Sequence, residues 1–179
     1  MSRRRLGILA AVVAVAAVAV TGTVLAIGNR STRSTAEPVV ASSSRDAPDL
    51  SGTDPVTGKE VSLAAFAGRP VVINVWASWC SGCNEEAADL RAFAAAHPEA
   101  QLIGVDMQDS KGAARAFYRR WRWRHPSISD PHGELAAKLG LQGLPTTIFL
   151  DREHRIVARI VGATDRAGFE NGLRQALRD

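Results

Sequence analysis

The chain has 179 residues, of which 46% are hydrophobic and 22% charged, a length and balance that describe one folded domain with an appendage and exclude a disordered or collagen-like chain. The formal net charge of +4 is unevenly spread: residues 1–45 carry six arginines against Glu37, whereas residues 46–179 carry 16 basic and 17 acidic side chains. The basic excess belongs to the tail, and the nearly neutral remainder lacks the field that would hold a nucleic acid at physiological salt.

In chain order, residues 1–5 supply Arg3, Arg4 and Arg5, and no charged side chain follows from Leu6 through Asn29. As a helix rising about 1.5 Å per residue, 6–27 reaches about 33 Å, enough for a hydrocarbon core near 30 Å. We read 1–5 as a cytoplasmic basic end and 6–27 as a single-pass membrane anchor, with everything beyond residue 29 outside the cytoplasm by the positive-inside rule. The alternative is a cleaved signal and a secreted domain, since Val24-Leu25-Ala26 suits a signal peptidase. Residues 28–48, rich in Ser, Thr, Ala and Pro, read as a flexible linker, and 49–179 as the folded domain.

Within that domain "DLSGTDPVTGKEVSLAAFAG" predicts a small hairpin turning at Gly58, then one helical turn. "VVINVW" (71–76) is a short β-branched run suited to a central strand, "NEEAADLRAFAAAH" has helical spacing, and "QLIGVD" reads as another buried strand. Those three form a right-handed βαβ unit. A helix follows from Lys111 to about Trp121, then the turn-rich "HPSISDPHG" and a short helix in "ELAAKLG". "TTIFLD" and "RIVARIVG" form a hairpin, and a helix from Arg166 to Arg178 closes the chain. The architecture is α/β: βαβ, then helices, then ββα.

The two cysteines, Cys80 and Cys83, stand where the first strand gives way to its helix. A helix N-terminus carries unpaired N–H groups and about half a positive charge, which favour a thiolate and lower a thiol pKa. Cys80 is the candidate nucleophile. Cys83, three residues on and on the same helix face, is the candidate resolving thiol that expels a mixed disulfide formed at Cys80. A local disulfide closing so short a loop adds little stability, and His97, His125, His132 and His154 lack the paired spacing of a zinc site. No metal and no cofactor is expected.

The runs "GRPVVINVWASWCSGCNEE" and "GLQGLPTTIFLDREHRIVARIVG" resemble the TlpA/ResA-like branch of the thioredoxin superfamily, over about Asp49 to Leu177. Trp79 directly before the CxxC pair and Leu144-Pro145-Thr146-Thr147 about 60 residues later carry the resemblance. It implies a thioredoxin-like mixed sheet flanked by helices, a cis Leu144–Pro145 bond facing the cysteines, and a substrate-binding surface from Trp79, Leu144 and Pro145. It also implies that Glu86, three positions after Cys83, passes the proton of the buried thiol. The competing reading of Glu86 is a plain charge–dipole partner of the helix N-terminus, the role we give Glu85. Two departures stand out: Gly82 replaces the proline most relatives place before the second cysteine, and Glu153-His154 replaces a usual Asp-Gly turn.

The resemblance implies an extracytoplasmic thiol-disulfide oxidoreductase that reduces client protein disulfides of cytochrome c or copper-site maturation type and is itself re-reduced by a membrane dithiol donor. One alternative is a dithiol oxidase acting on exported proteins; another is a non-enzymatic copper-chaperone or binding module. A peroxidatic site needs a lone cysteine in a Thr-containing motif, which "WASWCSGC" lacks. The basic-aromatic run "RAFYRRWRWRH" reads as an amphipathic helix whose arginines fan into solvent, with a lipid-headgroup or acidic-partner patch as the remainder.

Overall fold

The computed structural model describes the backbone of residues 39–178 and side chains from Arg45 onward. The expected basic end, anchor and first part of the linker lie outside the described residues. Among the described residues no helix is long and apolar enough to cross a membrane.

Among the described residues eight strands, four α-helices and one 3-10 turn follow in this order: β1 (Val39–Asp46), β2 (Ser51–Thr53), β3 (Glu60–Ser62), the 3-10 turn Leu63–Phe66, β4 (Val71–Trp76), α1 (Ser81–Ala96), β5 (Gln101–Met107), α2 (Lys111–Trp121), β6 (Ser127–Asp130), α3 (Glu134–Lys138), β7 (Thr146–Leu150), β8 (Arg155–Val161) and α4 (Arg166–Ala176). Six strands form one mixed sheet in the order β1-β8-β7-β4-β5-β6, and β2 and β3 pair separately. β4, β5 and β6 run parallel; β7 is antiparallel to β4, β8 to β7 and β1 to β8.

β4 lies inside the sheet and all six of its residues are buried, so its alternation feeds both layers. Val72 and Trp76 enter a core with Leu90 and Phe93 of α1, Phe117 and Tyr118 of α2, and Phe169 and Leu173 of α4. Val71, Ile73 and Val75 enter the opposite core with Leu50, Val61, Leu63 and Leu139. Glycine is required where α4 meets the sheet, because a Cβ at Gly172 would strike the Phe149 ring.

Two segments differ from the sequence reading. Residues 39–46, taken as the end of the linker, form an edge strand against β8, with an irregular register between Val40 and Arg45. The pairing partner, distant in sequence, supplies the backbone hydrogen bonds that local composition does not announce. Likewise the turn-rich stretch 125–133 contains β6, whose Gly104↔Ser127 to Met107↔Asp130 register continues the parallel set. Its four residues have too little apolar alternation to register as a strand on their own.

The departure at the late hairpin is absorbed locally. His154 adopts a left-handed backbone with φ of 60°, and the Asp151 carboxylate accepts from the backbone N–H of Glu153 (3.1 Å) and Arg155 (2.8 Å). The run 111–123 follows the amphipathic reading: Ala114, Phe117 and Tyr118 are buried, Arg119 and Arg120 are exposed, and Trp123, just past the helix, joins Trp76 and Phe117 in an aromatic cluster.

Candidate active site

β4 ends at Trp76, and the chain crosses the sheet edge through Ala77, Ser78 and Trp79 to reach α1. The Asp109 carboxylate accepts from the Ser78 N–H at 2.7 Å, and Asn84 Nδ2 donates to the Ser78 and Cys80 carbonyls at 3.2 and 2.9 Å. These contacts hold the crossing segment. Cys80 is the N-cap of α1, one residue before its first turn, and its Sγ accepts from the Cys83 N–H at 3.1 Å. A sulfur in this position receives an N–H and the positive end of the helix, the arrangement that favours thiolate in the reduced form.

Cys80 and Cys83 are joined as a disulfide with Cα atoms 5.3 Å apart. They differ in access. A cleft of about 530 Å³ is lined by Trp79, Cys80, Ser81, Met107, Leu141, Gln142, Gly143 and Leu144, with Cys83 absent from its walls. Trp79 is 60% exposed beside it, steadied by a 3.2 Å hydrogen bond from its Nε1 to the Gln108 carbonyl. Cys83 sits inside the helix at 1% exposure. A partner entering the cleft thus meets Cys80 first.

The Leu144–Pro145 bond is cis, the isomer the resemblance implies. Pro145 abuts the cysteine segment so closely that a Cβ built on Gly82 would lie 2.9 Å from Pro145 Cδ. Gly82 therefore does more than loosen a turn, since its missing side chain is the space into which Pro145 fits. The Pro145 carbonyl accepts from the Gly162 N–H at 2.8 Å, tying this corner to the end of β8.

Glu86 lies on the buried stripe of α1 with Cys83, Ala87, Leu90 and Phe93. It is 1% exposed, and both carboxylate oxygens are held: Oε1 by Asn74 Nδ2 at 2.9 Å and Oε2 by the Thr164 N–H at 3.1 Å. Burial pushes its pKa up to about 8, the two hydrogen bonds pull the other way, and Asp89 adds a smaller upward push. Loss of solvation outweighs two donated hydrogen bonds. A carboxyl group titrating there is matched to a thiol, whose unperturbed pKa is about 8.5. Glu85, its neighbour, is exposed.

The structure brings Trp79, Cys80 and Leu144 to one cleft, and sets Cys83 and Glu86 three residues apart on the helix behind it. Sequence reasoning missed Asn74, Thr164, Met107 and Asp109, and named Thr147 only as part of the Leu-Pro-Thr-Thr motif. Only Asn74 left a trace, as the lone polar residue within "VVINVW": a buried amide on a central strand calls for partners, and it finds Glu86 and Thr147 Oγ1, the latter at 3.0 Å.

A mixed sheet with a cysteine pair at the junction of a strand and a helix, opposed by a cis proline, defines a thioredoxin-like thiol-disulfide oxidoreductase. Comparison with known proteins agrees: residues 44–159 match the AhpC/TSA family, and the chain belongs to it. It is 26% identical over 133 residues to the thiol-disulfide oxidoreductase ResA of Bacillus thuringiensis subsp. konkukian, covering 73% of this chain and 76% of that one. It is 30% identical over 109 residues to the thiol:disulfide interchange protein DsbE of Pseudomonas aeruginosa, covering 60% and 59%. Among solved structures, a DsbF homologue from Corynebacterium diphtheriae superposes with a TM-score of 0.71 at 27% identity, over 76% of this chain and 91% of that one. The chain is a thiol-disulfide oxidoreductase of the ResA/DsbE type.

Proposed function

We propose that this oxidoreductase runs as a reductase, opening disulfides in client proteins outside the cytoplasm. The reduced enzyme carries a Cys80 thiolate and a Cys83 thiol. Cys80 Sγ attacks one sulfur of the client disulfide: the Cys80–client S–S bond forms, the client S–S bond breaks, and the departing client thiolate takes a proton from water. Cys83 then gives its proton to Glu86 in the fraction of molecules where that carboxyl group, titrating near 8, is ionised, and attacks Cys80 Sγ. The Cys80–Cys83 bond forms and the second client thiolate leaves, taking the proton that Glu86 releases. The client gains two electrons and two protons, and the enzyme ends as the disulfide.

In this reading Trp79, Leu144 and Pro145 bind the client, with the Leu144 backbone pairing with its extended chain. The clients are apoproteins of cytochrome c or copper-site maturation type, and a membrane dithiol donor restores the reduced enzyme. The N-terminal segment anchors the domain to the outer face of the cell membrane. The observation that supports the exchange chemistry is Glu86: a buried carboxyl group with a pKa near 8, three residues from the equally buried Cys83 on the same helix, can take up and return the proton of the resolving thiol without its reaching solvent, and the direction is set by the potential of the cysteine pair.

Trapping tests it. With Cys83→Ala, mixed disulfides at Cys80 should persist and be captured on a non-reducing gel, and Cys80→Ala should capture none. An equilibrium potential near about −120 mV, the range of strong dithiol oxidants, would instead assign the oxidase direction.

A further inference from the structure

The arginines that the redox chemistry leaves unused converge on one place. A cleft of about 720 Å³ is lined by Arg69, Arg91, Arg122 and Arg124, and no carboxylate lines it. These four come from three separate parts of the chain: the loop before β4, the later turns of α1, and the segment between α2 and β6. All four are exposed. Among the described residues Arg91, Arg122 and Arg124 make no ion pair or side-chain hydrogen bond, and Arg69 donates only to the Pro98 carbonyl at 2.9 Å. The nearest acidic residue in sequence to the Pro98 wall, Glu99, is engaged by His97 Nδ1 at 2.8 Å. Four like charges on one cleft without a carboxylate among them, in a domain that is close to neutral, make a local positive field that attracts an anion.

The rest of the lining says which anion. Ala92, Ala95, Pro98 and Leu102 lie between the arginines, and the one amide there, Gln101, spends its Nε2 on the Leu102 carbonyl at 2.8 Å. His125 also lines the cleft; burial keeps it neutral by pushing its pKa down to about 3, and its Nε2 is buried without a hydrogen-bond partner. An acidic peptide would bring backbone N–H donors as well as carboxylates, and this donor-rich lining offers few side-chain acceptors for them. A phosphodiester attached to a glycerol and its acyl chains matches guanidinium forks beside apolar wall. We propose that this cleft binds the headgroup of an anionic phospholipid, docking the domain on a membrane surface.

The topology gives the docking a direction. Arg69 precedes the start of β4, and Gln101 and Leu102 open β5, whereas the cysteines follow the end of β4. The cleft and the thiols thus occupy opposite poles of a parallel strand pair, and a domain seated through its arginines presents Cys80 to the aqueous side.

The test uses the full chain in phosphatidylcholine nanodiscs, with or without phosphatidylglycerol, read by amide hydrogen exchange. Exchange over 91–102 and 120–125 should slow by about fivefold or more with phosphatidylglycerol. The triple variant Arg91→Gln, Arg122→Gln, Arg124→Gln should abolish that slowing and leave insulin reduction unchanged. Equal exchange in both discs, or slowing that survives in the triple variant, overturns the proposal. So does equal slowing in phosphatidylcholine discs by added inorganic phosphate, which would make the cleft a free-anion site, or by a short polyglutamate, which would make it a protein-docking surface. The redox assay separates this outcome from any failure of the proposed reductase function.

Discussion

Glu86→Gln separates what a buried carboxyl group contributes to chemistry from what it takes from stability. The ordinary carboxyl value is 4.5, and in the folded chain Glu86 is raised to about 8. Below pH 4.5 the group is protonated in folded and unfolded chains alike and does not bias folding. Between pH 4.5 and 8 the unfolded chain ionises while the folded chain holds its proton, so stability falls by about 1.4 kcal/mol per pH unit. At pH 7 the accumulated loss is about 3 kcal/mol. Glutamine stays neutral at every pH. Its carbonyl can keep the Thr164 N–H, and its amide can face Asn74 Oδ1, a buried oxygen without a hydrogen-bond partner, once the Asn74 amide turns over. Oxidised Glu86→Gln should therefore be more stable than the parent at pH 7 by about 3 kcal/mol, and the difference between the two should grow from near zero at about pH 4.5 to that value at pH 7 in urea denaturation. Its turnover in insulin reduction should fall by about 10²-fold or more, the usual contribution of a positioned proton acceptor. Superimposable stability profiles for variant and parent would refute the account of burial, and undiminished turnover would refute the proton role.

Three further substitutions probe the surroundings. Gly82→Ala improves helix propensity by about 1 kcal/mol but sets a Cβ 2.9 Å from Pro145 Cδ; the chain should fold normally while KM for a disulfide-bonded peptide rises, and an unchanged KM would show that Pro145 can retreat freely. Trp79→Ala removes a side chain that is 60% exposed, so denaturation should shift by about 0.5 kcal/mol or less while client binding weakens in a direct titration. Gly172→Ala drives a methyl group into the Phe149 ring beneath α4 and should destabilise the fold by about 1–3 kcal/mol in urea, leaving the reduction potential of the Cys80–Cys83 pair unmoved.

The cysteine pair, its place at the junction of strand and helix, and most of the elements were legible in the residues, because each depends on local signals: β-branched runs, helical spacing, and turn residues such as Gly58. β4 and α2 fall where their patterns put them. The edge strand β1 and the short β6 were not legible, because a strand with little apolar alternation is stabilised by backbone hydrogen bonds to partners elsewhere, here β8 and β5. The same holds for Glu86. Its type and spacing could be read, but its chemistry depends on how much water the folded chain removes from it and on Asn74 and Thr164 reaching its two oxygens. Electrostatic interactions act through space rather than along the chain, so the pKa of that carboxyl group, the fit of Pro145 against Gly82, and the gathering of four arginines at the pole away from the thiols were decided only when the sheet closed.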